Sequence, residues 1–338
     1  MGKHVYQVEN AVAKYDRSHG FVDLQGKEFP KVSEFRTTII NYIYSLIEND
    51  DTSSVSVLDV GVGHGKWLFI PLILRLLKAN KLKCAIGIDN SDKMLSHLKE
   101  NLLAEDISTV TLEMPNINNI SANAGASSPF VYSMHYDIEE LVYNCTLSEV
   151  KADKMPKVDI LLLMGVLHHT INWRQTLHVI VDSFLRTGSY IILSERDCES
   201  DYIDGNFYQQ FNSTENKKCK DPEKSEWCKI WRQYYELRAK EDAPWNPEIS
   251  VSDITPVLHS LYNGGFNLIG GKPFYERWKV KHDYSEISNW LNEPVFANFF
   301  RSLSSASIKK IAAKITEKDL GSISVNEGWK FYILRKAI

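Results

Sequence analysis

The sequence has few cysteines, no long apolar run and no excess of basic over acidic residues. Its five cysteines are scattered and odd in number, and no two of them form a C-x-x-C pair, so we expect free thiols in a reducing compartment. No stretch approaches the roughly 18 apolar residues of a membrane span, and the first residues carry no apolar core of a secretory leader. These absences predict a cytoplasmic protein with no membrane partner.

Charge and length narrow the function classes further. The formal net charge is −4 and the sequence pI is about 6.2, so no global positive field attracts a phosphate backbone, although a local basic patch remains open. Internal repeats, heptads and low-complexity tails are also lacking. A chain of 338 residues, 43% of them hydrophobic, suffices for one large domain with insertions or two modest domains. We prefer one elaborated domain.

The most informative stretch is residues 57–65, with the sequence VLDVGVGHG. Apolar and β-branched residues lead to Asp59, as in a buried parallel strand, and three glycines follow at alternate positions. Glycine permits positive φ and lets the backbone approach a ligand closely. The stretch therefore predicts a strand that ends in a ligand-binding loop.

The rest of the chain alternates strands and helices around this stretch. Residues 1–50 form a helical N-terminal extension in which 32–47 have helical periodicity, and residues 51–338 form the main domain. A short strand is expected near 110–114. The other expected strands are 57–60, 82–88, 130–135, 158–164, 190–193, 266–269 and 329–334. This alternation predicts an α/β domain with covering helices on a mostly parallel sheet.

Two segments depart from the aliphatic pattern and are expected to be insertions. Residues 198–250 and 279–322 are rich in aromatic and charged residues, and we expect helical lids there. The aromatic residues singled out as substrate-binding candidates are Trp227, Trp231, Tyr235 and Trp278. Aromatics at helical spacing more often form a packing face than a recognition surface.

Two nucleotide-binding patterns fit the glycines poorly. A phosphate P-loop requires G-x-x-x-x-G-K-[ST], which is absent. A dinucleotide site requires G-x-G-x-x-G, but Lys66 stands at the third glycine position and would crowd the helix, strand and pyrophosphate.

The stretch resembles motif I of the class I S-adenosylmethionine-dependent methyltransferases, and the resemblance continues in order over about residues 55–197. Asp89 ends the second strand, Asp137 and Ile138 follow a later one, and 158–169 end in V-L-H-H. The resemblance implies a Rossmann-like doubly wound sheet of seven strands, mostly parallel with the last antiparallel. It also implies S-adenosylmethionine as cofactor, bound by Asp59, Gly61, Gly63, Gly65, Asp89, Asn90, Met94, Asp137, Ile138, Met164 and Gly165.

Within the resemblance, Asp59 would position the methionine ammonium and Asp89 would accept both ribose hydroxyls. A helix cap is the ordinary alternative for Asp89. His168, His169 and Glu195 stand where ligands bind in open α/β sheets, and we name them as candidate catalytic or substrate-orienting residues. The two histidines could equally be structural. We expect no metal, because no matching Cys or carboxylate spacing accompanies them.

Three hypotheses remain for the function. The aromatic insertions favour methylation of an O, N or C nucleophile on a small-molecule acceptor. A basic track in 217–232, interleaved with tryptophan and diluted by acids, would instead suit an RNA or protein substrate. A cofactor-binding regulatory protein without activity is the third. The sequence does not indicate an oligomeric state.

Overall fold

The computed structural model describes residues 30–50, 54–112, 129–138, 157–167, 170, 172–196, 254–283 and 322–337. The chain separates into two compact units. One consists of Glu28–Glu195, Ile254–Phe274 and Lys330–Ile338, and the other of Met1–Lys27, Arg196–Asp253 and Tyr275–Trp329. Residues 57–65, with Asp89, Asp137, Met164 and Glu195, belong to the first of these units, and Trp278 belongs to the second.

Strands and helices alternate along the described chain. The helices are α1 (Pro30–Asn49), α2 (Phe69–Lys78), α3 (Asp92–Leu103), α4 (Trp173–Phe184) and α5 (Thr255–Asn263). The strands are β1 (Val55–Val60), β2 (Leu82–Asp89), β3 (Thr109–Leu112), β4 (Phe130–His135), β5 (Val158–Met164), β6 (Leu185–Arg196), β7 (Phe266–Leu268), β8 (Phe274–Asp283) and β9 (Ser322–Lys336).

The strands form a nine-stranded sheet in the order β3-β4-β2-β1-β5-β6-β9-β7, with β8 paired to β9. The pairs β3–β4, β4–β2, β2–β1, β1–β5 and β5–β6 are parallel, and β9 runs antiparallel to β7. The mostly parallel α/β sheet with an antiparallel last strand is therefore confirmed. The sheet has nine strands instead of the seven that the resemblance implied. Strand β3, which matches the short strand expected near 110–114, extends one edge, and β8, which was not expected, is added beside β9. The segment expected as a helical insertion from residue 279 begins inside β8.

Burial explains why the central strands read as continuous apolar runs. Every residue of β1 is buried, as expected for a parallel strand covered on both faces. On α1, the predicted apolar face includes Phe35, Ile39, Ile43 and Ile47, which are all buried. The ring of Phe35 packs edge-on against that of a β9 phenylalanine, with centroids 5.5 Å apart. Helix α1 thus covers the sheet beside its antiparallel strand.

Proline 71 shows why α2 begins where it does. A proline inside the apolar helical pattern of residues 66–78 could either kink the helix or lie near its start. Helix α2 begins at Phe69, which places Pro71 in the first turn. Backbone N–H groups there have no partner within the helix, so the missing donor costs little. The structure therefore shows the second of the two alternatives.

Ion pairs fasten the amino ends of the parallel strands. Asp159, second in β5, accepts a hydrogen bond from the Ser56 amide at 2.8 Å and pairs with Arg186 of β6. Asp50, just after α1, accepts hydrogen bonds from the Tyr190 hydroxyl at 2.5 Å and from Arg335 at 2.8 Å. These contacts join α1, β6 and β9 at the edge opposite the candidate site.

Candidate functional site

The carboxyl ends of the parallel strands meet at one edge of the sheet. The register pairs Val60 of β1 with Ile88 of β2 and with Leu163 of β5. It also pairs Asp89 with His135 of β4, and Met164 of β5 with Ser194 of β6. Ligands of open α/β sheets bind at this edge, so the residues that follow these strands form the candidate site.

The glycine loop after β1 contains two glycines required by packing. Gly61, Gly63 and Gly65 have φ values of 73°, 55° and 75°, a left-handed conformation that glycine adopts without strain. A Cβ on Gly61 would lie 2.0 Å from a Val166 side-chain carbon, and one on Gly65 would lie 2.4 Å from a Leu98 carbon. Gly61 and Gly65 therefore let neighbouring elements approach the loop.

Gly63 differs from its two neighbours. A Cβ built on Gly63 would have no atom of the described residues within 4 Å, apart from its chain neighbours, so this glycine faces open space in that part of the structure. Its amide points inward instead and donates a hydrogen bond to Asp89 Oδ2 at 2.8 Å. Gly63 thus offers bare backbone to a ligand at the middle of the loop.

Asp89 links the glycine loop to the start of α3. Its Oδ2 accepts the Gly63 amide and its Oδ1 accepts the Ser91 amide at 2.9 Å. Burial raises the pKa of Asp89, and these backbone hydrogen bonds oppose the increase. Each carboxylate oxygen has two lone pairs, so both can accept a further hydrogen bond from a ligand hydroxyl.

Asp59 is a buried carboxyl group with no counter-charge among the described residues. Its relative exposure is 3%, and its Oδ1 has no hydrogen-bond partner within the described part of the chain. Burial, followed by repulsion from Asp89, raises the pKa of Asp59 well above its ordinary value. Buried acids are normally paired, so a cationic group bound at this edge of the sheet would stabilise the charged form of Asp59.

The remaining predicted cofactor residues lie at the same edge. Met94 is buried, and its amide donates to the Ser91 hydroxyl at 3.2 Å, which caps α3. Gly165 has a φ of 65° and donates its amide to the Ser194 carbonyl at 3.0 Å. The partly exposed members of the set are Asn90, Asp137, Ile138, Met164 and Gly165. The structure brings these residues to one edge, and their individual roles stay predictions.

His64, inside the glycine loop, forms hydrogen bonds that hold the loop to its surroundings. It is 6% exposed. Its Nδ1 accepts the Lys66 amide at 3.1 Å, and its carbonyl accepts a hydrogen bond from the Asn101 side chain at 2.9 Å. Burial, and then Lys66, lower the pKa of His64. Asn101 was not predicted, since its partner lies 37 residues earlier in the chain.

The candidate catalytic and substrate residues are mostly outside the described residues. His168, His169, Trp227, Trp231 and Tyr235 all fall there. Glu195 directly follows Ser194 in β6, which places its backbone at the candidate edge, and Trp278 belongs to β8.

In the described ranges, no group of three His, Cys, Asp or Glu side chains could hold a metal ion. No described helix has the length and apolarity to cross a bilayer.

Solved structures with a similar arrangement of strands and helices include several methyltransferases. The YcgJ protein from Bacillus subtilis is 12% identical, with a TM-score of 0.44, and the match covers 90% of this chain and 99% of that one. S-adenosylmethionine-dependent methyltransferases from Thiobacillus denitrificans and Geobacter sulfurreducens, both in complex with S-adenosyl-L-homocysteine, are 15% and 14% identical. Their TM-scores are 0.37 and 0.38, and each match covers 89% of this chain and 90% of the other.

No protein-family model and no curated protein matches the sequence.

Proposed function

We propose that this protein is an S-adenosylmethionine-dependent methyltransferase that acts on an O, N or C nucleophile of a small-molecule acceptor in the cytoplasm. The observation that carries the proposal is Asp59, a buried carboxyl group next to last in β1, whose Oδ1 has no hydrogen-bond partner in the part of the chain that the structure describes. It lies directly before a glycine loop whose middle member faces open space. A cationic ligand that needs close backbone approach fits this combination.

The charge of the site separates this ligand from phosphate-containing nucleotides. Asp59 and Asp89 are close enough for repulsion between them to raise the pKa of Asp59, after the larger effect of burial. A pyrophosphate placed on the glycine loop would add negative charge beside both acids, and like charges repel strongly where water is excluded. S-adenosylmethionine instead carries a positively charged ammonium and sulfonium. The acids therefore select for the methyl donor and against a dinucleotide.

The residues present fit the parts of the cofactor. Asp59 would hold the ammonium, and the open face of Gly63 would let the backbone lie against the ligand. Asp89 keeps lone pairs for the ribose hydroxyls while its present bonds fix its orientation. Asp137 and Ile138, which follow β4, would receive the adenine ring. When bound, the cofactor supplies a methyl group already activated by its sulfonium.

The protein must also position the methyl acceptor. Methyl transfer requires a nucleophile held in line at about 3 Å, and for some nucleophiles a base. Glu195 continues β6 beyond Ser194, whose register partner is Met164, so its backbone lies at the candidate edge. On sequence grounds it is a candidate for orienting the acceptor. His168 and His169 are further candidates on sequence grounds. The aromatic residues of 198–250 and 279–322 support an apolar or planar acceptor.

Calorimetry tests the cofactor assignment directly. We expect S-adenosylmethionine and its demethylated product to bind, and ATP and NAD to bind far more weakly or not at all. Asp59→Asn should weaken the binding of both S-adenosyl compounds. Asp159→Asn is its matched control, because it makes the same chemical change at the opposite end of the sheet and should leave these affinities unchanged. If neither S-adenosyl compound binds, the proposal is wrong.

A second experiment addresses catalysis and the acceptor. Release of the demethylated product can be followed over a panel of small-molecule acceptors, with single alanine variants of His168 and His169 compared at saturating cofactor. Wild-type turnover in both variants would remove these histidines from the mechanism. Activity that appears only with RNA and falls steeply with salt would favour the nucleic-acid alternative. Tight cofactor binding without turnover on any acceptor would favour the regulatory alternative.

A further inference from the structure

The first half of α1 lies beside the glycine loop. Arg36 of α1 donates a hydrogen bond from Nη1 to the carbonyl of Lys66, the residue directly after the loop, at 3.3 Å. The chain neighbours of these two residues share a further contact. The rings of Phe35 and Trp67 have their centroids 5.5 and 6.5 Å from that of Phe331 in β9. These contacts hold the Arg36 guanidinium at the candidate edge of the sheet.

The proposed cofactor brings a negative charge to this edge as well as two positive ones. The ammonium and the carboxylate of S-adenosylmethionine are attached to the same carbon atom, so an ammonium held by Asp59 places the carboxylate close by. Asp59 and Asp89 are both acids, and like charges repel strongly where water is excluded. The carboxylate of the cofactor therefore needs a donor of its own, and a positively charged one would offset the repulsion.

The backbone of the glycine loop is poorly placed to supply that donor. Five amides in and directly after the loop already donate hydrogen bonds within the protein, at 2.8 to 3.1 Å. They belong to Gly61, Val62, Gly63, Gly65 and Lys66. A carboxylate bound to any of the five would have to compete with an existing acceptor, and two of these acceptors are the Asp89 carboxylate and the His64 ring. A side chain is the better source.

The side chain of Arg36 has the chemistry that a carboxylate requires. A guanidinium presents five N–H donors in a planar fork that matches the two oxygens of a carboxylate. The contacts of Nη1 with the Lys66 carbonyl and of Nη2 with the Ser33 hydroxyl, at 3.5 Å, fix the direction of the fork. The residue is only partly buried, so a ligand can reach it. The Lys66 ammonium is also near the loop, but it is a point charge on an exposed and flexible side chain.

We propose that Arg36 binds the carboxylate of S-adenosylmethionine, so that α1 becomes part of the cofactor site. The inference rests on the proposed function and extends it, because Asp59 and Arg36 then hold the two oppositely charged groups of the methionine end. It adds a residue that precedes the glycine loop and lies outside residues 55–197, where the sequence resemblance is found. Recognition of the carboxylate thus depends on the N-terminal helix.

The experiment measures two ligands against two proteins by calorimetry. The ligands are S-adenosylmethionine and its decarboxylated form, which keeps the amine, the sulfonium and the adenosine. Arg36→Met should weaken S-adenosylmethionine about 5- to 30-fold, as expected for a partly exposed charge-assisted pair. It should leave the affinity for the decarboxylated compound within about twofold of wild type. Arg36→Lys should recover part of the loss, because it restores the charge without the fork.

Two control variants remove a positive charge elsewhere. Arg75→Met is the matched control, since Arg75 lies in the last turn of α2 over the ring of Tyr44, 4.2 Å from its centroid, and should leave both affinities unchanged. Lys66→Met removes a charge directly after the loop and should weaken both ligands to a similar, small extent. A selective loss of S-adenosylmethionine in Lys66→Met, with none in Arg36→Met, would assign the carboxylate to the lysine and overturn the inference.

The pair of ligands separates this inference from the proposed function. An equal loss of both ligands in Arg36→Met would show that Arg36 only holds α1 against the loop, which refutes carboxylate binding and leaves the proposed function intact. Retained binding of the decarboxylated compound shows at the same time that the variant is folded. If wild type binds neither ligand, the proposed function is wrong and the role of Arg36 is rejected with it.

Discussion

Replacing Asp59 with Asn should stabilise the ligand-free protein and weaken cofactor binding. The pKa of Asp59 is raised in the folded state above its ordinary value of 3.8, mainly by burial. An acid whose pKa is higher in the folded than in the unfolded state binds its proton more tightly in the folded state. Its contribution to the stability of the fold is therefore complete below pH 3.8 and is lost as the pH rises from 3.8 through the folded-state pKa. Asn has no such titration and removes the buried charge.

The structure sets the expected magnitudes. Leaving a buried polar group without a partner costs about 1–3 kcal/mol, and the Asp59 Oδ1 is such a group among the described residues. At about 2–4 °C per kcal/mol for a large domain, Asp59→Asn should raise the melting temperature near neutral pH by roughly 2–12 °C. Loss of a charge-assisted hydrogen bond to the ammonium, about 1.5–3 kcal/mol, should weaken cofactor affinity about 10- to 100-fold.

Thermal unfolding and calorimetry measure the two effects on the same preparation. The control Asp159→Asn should behave in the opposite way, since Asp159 accepts the Ser56 amide and pairs with Arg186. We expect it to lower stability by about 1 kcal/mol and to leave affinity unchanged. The reasoning would be refuted if the Asp59→Asn variant melted at a lower temperature than wild type, or if it bound the cofactor with wild-type affinity.

Other predictions concern the loop, the proton balance and the opposite edge of the sheet. Gly61→Ala would place a Cβ 2.0 Å from a neighbouring side chain and should destabilise the protein, whereas Gly63→Ala, with open space around it, should weaken cofactor binding more than it lowers the melting temperature. At a pH below the raised pKa of Asp59, a cationic ligand should displace a proton from this carboxyl group, so the binding enthalpy should vary with the ionisation enthalpy of the buffer. Arg335→Met removes the 2.8 Å contact to Asp50 and should lower stability by about 1–2 kcal/mol without altering affinity.

Sequence periodicity predicted the elements that are buried on both faces. Strands β1, β2 and β5 are mostly apolar, and most of their residues are buried, so their pattern does not depend on distant partners. Strand β8, with the sequence FYERWKVKHD, was missed because charged residues interrupt its apolar ones. Its pairing with β9 joins segments far apart in sequence, and local propensity carries little information about such contacts.

The site was predictable in its parts and not in their arrangement. Spacing alone places Asp59 and Asp89 at the ends of parallel strands and the glycines after the first. Spacing cannot distinguish Gly63, which faces open space, from Gly61 and Gly65, which are crowded by side chains from other elements. The contact between His135 and Asn90 spans 45 residues and exists only after the sheet has formed.

The position of β9 has a consequence for how the chain folds. This strand lies between β6 and β7, yet β6 ends at Arg196 and β9 begins at Ser322. Pairing them closes a long loop of chain, and such long-range contacts slow folding because the loop entropy is lost before the contact stabilises anything. Until β9 arrives, β6 is an uncovered edge able to pair with another chain. Aggregation during synthesis should therefore be most pronounced while residues 197–321 are emerging.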